Sequence, residues 1–278
     1  MIQAEQLKER YGLDRPMHEQ YLMWIWGIVT RGDFGESFLY NREVNELIWS
    51  YLGYTFLIAF TSLFFVYVIA IPLGIYAAMR KHGMADNVIS TVGFIGMSLP
   101  EFLVALGLLA FGLFVLDYSF IGLFSPEFEL APWSWAKVMD LLKHLWAPAL
   151  IVALNGSAGL IRIMRGSLLE TLGQPFVRTA LAKGLPRRRA VGKHAFRVAI
   201  NPLISIAGMS LPALFSGSAI ISIVLNLPTA GLLLFETLRV QDMYIAGSLI
   251  LMMSAALLVG NLLADIALAI ADPRIRHE

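Results

Sequence analysis

The 278-residue chain has no cysteine, which excludes disulfides, thiolate metal sites and a cysteine nucleophile. Charge is scarce: 15% of residues are charged, against roughly 25% in soluble domains. The phosphate loop G-x-x-x-x-G-K-[ST] is absent, so the nucleotide chemistry of that motif is not in this chain. H-E-x-x-H is absent too, and zinc-protease chemistry is unsupported. The five histidines (His18, His82, His144, His194 and His277) fall in predicted loops or tails, leaving an intramembrane serine nucleophile without a base. A net charge of +1 gives the whole molecule no pull toward nucleic acid.

What is abundant is apolar. Hydrophobic residues make up 58% of the chain, mean hydropathy is +0.69, and the apolar residues come in long runs. Leu52–Ala78 has no charge, and Val88–Leu116 carries only Glu101, next to Pro100, a predicted break. Leu145–Ile161 is short and extends through Ile163–Met164 with Arg162 at the interface. Val198–Phe235 is too long for one helix; Pro202, Pro212 and Pro228 suggest a span near Ala199–Leu225 and then a bent external segment. Met243–Ala264 is the last run. A helix needs about 20 apolar residues to cross about 30 Å of hydrocarbon. The expectation is an all-α membrane protein with five transmembrane helices.

Lysine and arginine in short loops set orientation. Met79–Asn87 holds Arg80 and Lys81, and the tail holds Arg274 and Arg276. Asp117–His144 has two lysines against four acids, and Asn226–Asp242 only Arg239 as a base. The stretch Arg162–Arg197 holds nine of the 21 bases and one acid, Glu170. The loops alternate, which puts Arg162–Arg197 and the C-terminus in the cytoplasm and residues 1–51 outside. That outer segment has eight acids and five bases and no signal-peptide core before Tyr21. Tyr21–Val29 is too short to span and reads as an interfacial piece. An external N-terminal region of this length without a leading helix suggests an upstream helix missing before Met1. All six tryptophans (24, 26, 49, 133, 135, 146) lie in the outer segments or at their membrane edges, as an interfacial belt requires.

Within the basic stretch, Leu168–Ala182 has a helical pattern that stops at Lys183-Gly184, where glycine permits a left-handed turn. Pro186 suits the start of a second helix. Helix, turn and helix make a compact knob that can enter a groove on a partner. The bases also suit anionic lipid head groups, at about 1 kcal/mol each, and both readings are open on the residues alone. A nucleic-acid reader is disfavoured, because a motif clamped between two spans could hardly follow a groove.

RTALAKGL, then KHAFR and Pro202, resembles the cytoplasmic EAA loop of ABC-transporter permeases, in particular the dipeptide/oligopeptide/nickel branch. Arg178, Thr179, Ala180, Ala182, Lys183, Gly184, Leu185, His194, Ala195, Arg197, Ala199 and Pro202 match; Phe196 and Val198 replace a leucine and an asparagine. The resemblance covers nearly the whole chain: GLDRP (Gly12–Pro16), Gln20-Tyr21 and GDFGESF (Gly32–Phe38), then Arg162 and Arg165 as R-x-x-R. Asp242, Asn261, Asp265 and DPRIR (Asp272–Arg276) extend it to the end. Two departures sit in the external half, Leu227–Gly231 (LPTAG) in place of P-G-L-G, and Ser222 where many members have glutamate.

The resemblance implies a type I importer permease, with six helices in the family, expected in a bacterial or archaeal inner membrane. Its partners would be a second homologous permease subunit, two ABC ATPase subunits and an extracytoplasmic binding protein, with membrane lipid around it and no nucleic acid. ATP and Mg would sit on the ATPases, with no cofactor on this chain. Arg178–Ala180 and Ala182–Leu185 would dock the ATPase. Peptide is the commonest implied cargo, with nickel and oligosaccharides as alternatives.

Intramembrane polar residues are the default path candidates: Glu101, Asn155, Ser157 and Ser210, with Ser216 and Ser218 beside it. Helical serines also serve close packing, and Glu101 could instead face the interface or a partner. A secondary transporter or channel subunit is the alternative class. It would be expected to carry several intramembrane ionisable groups, and this chain has little beyond Glu101.

Overall fold

The computed structural model describes residues 14–37, 39–216 and 219–271, and it is helical apart from one two-residue hairpin, Glu36–Ser37 with Arg42–Glu43. Gly12 and Leu13 of GLDRP, Phe38, Ser218 and DPRIR fall outside the described residues. Helix α1 (Met17–Arg31) contains Tyr21–Val29, the stretch expected to be interfacial; it buries no residue, and Gly32, at φ +67°, closes it. Its Trp24 donates Nε1–H to the Phe34 carbonyl at 3.2 Å.

The core of the bundle is α2 (Val44–Met79) against α5 (Trp135–Leu172). Both are longer than the apolar runs that announce them. The first helix starts at Val44 rather than Leu52 because Val44, Leu47, Ile48 and Leu52 pack on Ala230, Leu233, Ile245 and Leu249. The other starts ten residues before Leu145, where the sequence reads as a polar loop. Ser134 caps it by accepting from the Lys137 amide at 3.2 Å. Its early polar residues are buried by partners in the preceding loop. Asp140 accepts from Ser125 N–H and Oγ–H, each at 2.7 Å. The Lys137 ammonium donates to the Ala131 and Glu129 carbonyls beneath the rings of Phe124 and Trp133. Lys137 is thus consumed in holding the loop, which accounts for a lysine on the side that the charge count places outside.

Between these helices lie α3 (Met84–Ser98) and α4 (Glu101–Phe111), the latter prolonged by a π-helical turn, Gly112–Leu116. The two form one apolar run bent by 97° at the break. Pro100 has no N–H and forces Leu99 into an extended conformation (φ −86°, ψ 124°). The R-x-x-R pair of α5 grips α3. Arg165 pairs with Asp86 through Nη2 at 2.7 Å and Nε at 2.5 Å, and Arg162 lies over the Phe94 ring at 5.5 Å. Asp86 also accepts from the His82 amide at 2.9 Å.

Beyond α5 the predicted single helix Leu168–Ala182 is two. The chain breaks at Gly173-Gln174, and α6 (Pro175–Ala182) starts with proline in its first turn. Helical turns run from Arg187 to Ala199, including a π-helical stretch, Ala190–Ala195. The predicted span Ala199–Leu225 contains α7 (Asn201–Ser216) and α8 (Ala219–Val224), on either side of two residues outside the described ones. Then come α9 (Ala230–Arg239) and α10 (Met243–Ala271). By length and composition, among the described residues, α2, α5 and α10 can each cross a membrane, and the bent pair α3–α4 would make four. The five-span count is therefore matched only in part.

At the end of the bundle away from the basic loop, Asp242 anchors the hairpin. Its carboxylate accepts from Ser37 Oγ–H at 2.7 Å and Leu39 N–H at 3.1 Å, and it is 2% exposed. Tyr40 donates to Glu236 at 2.8 Å. Burial, and then that hydrogen bond, push the Tyr40 phenol well above its ordinary value.

Helices in lipid gain little from hydrophobicity on contacting each other, so close packing decides. At Gly74 an added Cβ would lie 2.7 Å from Met164 Cβ and 3.0 Å from the Ile161 carbonyl. Gly74→Val is expected to force α2 from α5 at a cost of about 2 kcal/mol, read as a lower thermal unfolding midpoint of the purified protein. An unchanged midpoint would show that the close approach is not needed.

Candidate functional site

The Pro100 break places Glu101 at the first turn of α4, where unpaired amides favour an acidic side chain. Asn155 on α5 donates Nδ2–H to Glu101 Oε1 at 2.8 Å. Two path candidates 54 residues apart are thus one hydrogen-bonded pair. It stands between two cavities. The first, of about 390 Å³, lies among α2, α4, α5, α7, α8 and the Leu227–Gly231 segment. Thr55, Ser62, Ser210, Ser222 and Thr229 line it together with the pair. The second, of about 340 Å³, lies among α2 to α5 and is almost wholly apolar. Ser157 lines only this second cavity and donates to the Leu154 carbonyl at 3.1 Å. Glu101 is the one ionisable side chain lining either cavity among the described residues.

Several cavity residues carry no signal as a site in the sequence. Thr55 sits in an uncharged run, and its role depends on a segment 175 residues away: Oγ1 donates to the Tyr51 carbonyl and accepts from the Ala230 amide, both at 2.8 Å. Ser222 and LPTAG were visible only as departures from the family pattern. Both departures line the same cavity.

The basic loop gathers Arg178, Thr179, Ala180, Ala182, Lys183, Gly184 and Leu185 at the tip of α6. Gly184, at φ +83°, ends that helix. Leu185 N–H reaches back to the Ala180 carbonyl at 3.2 Å, and Gly184 N–H to Leu181 at 2.9 Å. These two bonds define a Schellman turn, which satisfies the last carbonyls and fixes the exit of the chain. Arg178, Thr179, Ala182 and Lys183 are exposed, with Phe176 and Leu181 beside them. The opposite face is anchored: Val177 is fully buried with Met164, Leu168, Val191 and Ala195. His194, Ala195 and Arg197 lie in the following helical turns, on the inner limb of the knob rather than at its tip.

A long helix pair, a proline-broken pair beside it and a rigid exposed knob describe the membrane subunit of an ABC importer. In overall fold the chain resembles a chain of solved inward-facing MetNI methionine ABC transporter structures, with a TM-score of 0.64 at 17% identity, covering 82% of this chain and 97% of that one. Residues 70–277 match the model for the binding-protein-dependent transport system inner membrane component, and the chain belongs to that family. It is a non-catalytic, multi-pass permease of the inner membrane. Similar over nearly their whole length are the oligopeptide transport system permease protein AppB of Bacillus subtilis (33% identity; 98% of this chain, 85% of that one) and the dipeptide transport system permease protein DppB of Escherichia coli (29%; 98% and 85%).

Thr55→Val keeps the shape of the side chain and leaves the buried Ala230 amide without its acceptor. The expected cost is about 1–3 kcal/mol, with faster hydrogen exchange at Ala230. Unaltered exchange there would show that Thr55 does not hold the segment.

Proposed function

We propose that this permease forms half of a path for peptides, or a similar small solute, in an ATP-driven importer. A second homologous permease supplies the other half. Two ATPase subunits carry ATP and Mg, and an extracytoplasmic binding protein delivers cargo. The names of the relatives support a peptide cargo, and family membership supports the partners. On this reading α2, α3–α4, α5, α7–α8 and α10 are five spans. The loop 165–200 and the C-terminus lie in the cytoplasm, and the segment before residue 52 lies outside. The path runs through the cavity at Glu101, Asn155 and Ser210, and Ser157 lies behind its wall. Glu101, the one ionisable side chain lining either cavity among the described residues, argues against a secondary transporter or channel, which would couple ions through several such groups.

The observation that carries the coupling role is the closed turn at Gly184. A knob with a fixed exit and a buried inner face can move as one body with a docked ATPase. Gly184 has open space around it, so its positive φ is the constraint there, not crowding. Proline cannot adopt that φ. Gly184→Pro, or a bulky replacement of Ala180, is expected to lower cargo uptake by at least about tenfold (about 1.4 kcal/mol of coupling) while the transporter still inserts and hydrolyses ATP. Normal transport by a well-expressed Gly184→Pro variant would sink the docking role.

A further inference from the structure

We infer that the larger cavity holds a station for a positively charged group of the cargo, a primary ammonium, with Glu101 as its acceptor. The inference rests on that cavity being the cargo path, and it adds what the path selects. Three observations carry it. Glu101 is the one ionisable side chain on the cavity wall among the described residues. Only one of its oxygens is engaged, by Asn155; Oε2 has no hydrogen-bond donor among the described residues, and neither has Asn155 Oδ1. The hydroxyl hydrogen of Ser210 is already committed to the Ile206 carbonyl at 2.6 Å, so its oxygen offers lone pairs to the cavity. Ser62, buried on α2, is committed in the same way, to the Ile58 carbonyl at 2.7 Å.

Among the described residues the wall therefore presents one carboxylate with an oxygen that accepts from no donor, and no positive charge. An ammonium has three donors and no acceptor, and it is the matching partner. A cargo carboxylate would meet Glu101 as a like charge. Neutral amides would leave the carboxylate uncompensated. A divalent metal ion needs more carboxylate or imidazole ligands than this wall supplies: the described residues contain no cluster of three or more such groups. Asn155 acts here as a positioning residue. Its bond to Oε1 holds the carboxylate across the gap between α4 and α5 and leaves Oε2 without a donor among the described residues.

The test uses the complete transporter in lipid nanodiscs without its binding protein, so that partner's own selectivity does not enter. A hydrophobic carbodiimide modifies Glu101, and mass spectrometry reads the rate in the presence of trialanine or N-acetyl-trialanine, which lacks the ammonium. Trialanine is expected to protect at a concentration at least about tenfold lower, the scale of one charge-assisted hydrogen bond. Equal protection by the two peptides, or none by either, overturns the inference. So does a Glu101 that the reagent never reaches, because cargo could not reach it either. A separate arm tests the path itself. Ser210→Trp fills the cavity, and uptake of all peptides is expected to fall at least about tenfold while the ATPase subunits still co-purify. Normal uptake by that variant would overturn the path, whereas blocked uptake with equal protection would overturn only the ammonium station.

Discussion

The close approach of α2 to α5 is the constraint on which the rest depends. It is closed at two levels by missing side chains, Gly74 under Met164 and Gly156 facing Val66. In lipid no solvent squeezes helices together, so contact distance sets the strength of the pair. Once the pair is fixed, its flanks are fixed. Arg162 and Arg165 then stand at the height where they hold α3, and Asn155 stands where it meets Glu101. Thr55 faces the segment that closes the cavity. Four contacts with different chemistry thus inherit their geometry from one packing surface.

Much of the local structure was legible in the residues because its causes are local. Proline at position 100 dictated a break whatever surrounds it, and the chain bends by 97° there. Gly184 dictated a left-handed turn, and its φ is positive. Gly173-Gln174-Pro175 carried an equally local stop, yet the apolar pattern through Leu168–Ala182 outweighed it in the reading; the structure follows the punctuation. The opening turns of α5 were misread for a different reason. Lys137, Asp140 and His144 look like loop residues, and only the folded loop before α5 supplies the carbonyls, hydroxyl and amide that let them be buried in a helix.

The candidate site divides along the same line. Glu101 and Asn155 stood out because a polar group in an apolar run is conspicuous by itself. Nothing in either run says that they touch, since their meeting depends on the bend at Pro100 and on the packing of α4 beside α5. Thr55 and Thr229 are inconspicuous residue types whose roles exist only between distant segments. Ser222 is the intermediate case, noticed as a substitution and given meaning by its position on the cavity wall. The knob was read as a shape from its glycine and proline. Its stiffness comes from Val177, an unremarkable valine in the sequence.

That valine joins two regions that look separate. Val177 belongs to one buried cluster with Val66 and Leu160, and those two residues also line the larger cavity. Packed interiors are nearly incompressible, so a push on the tip of α6 has nowhere to dissipate along this column. Its motion must be taken up where packing is thin and backbone bonds are already broken, and the bend at Leu99-Pro100, one residue from Glu101, is such a place. If the loop docks a partner as proposed, a load on it would reach the chamber as a change in width, carried by this packed column.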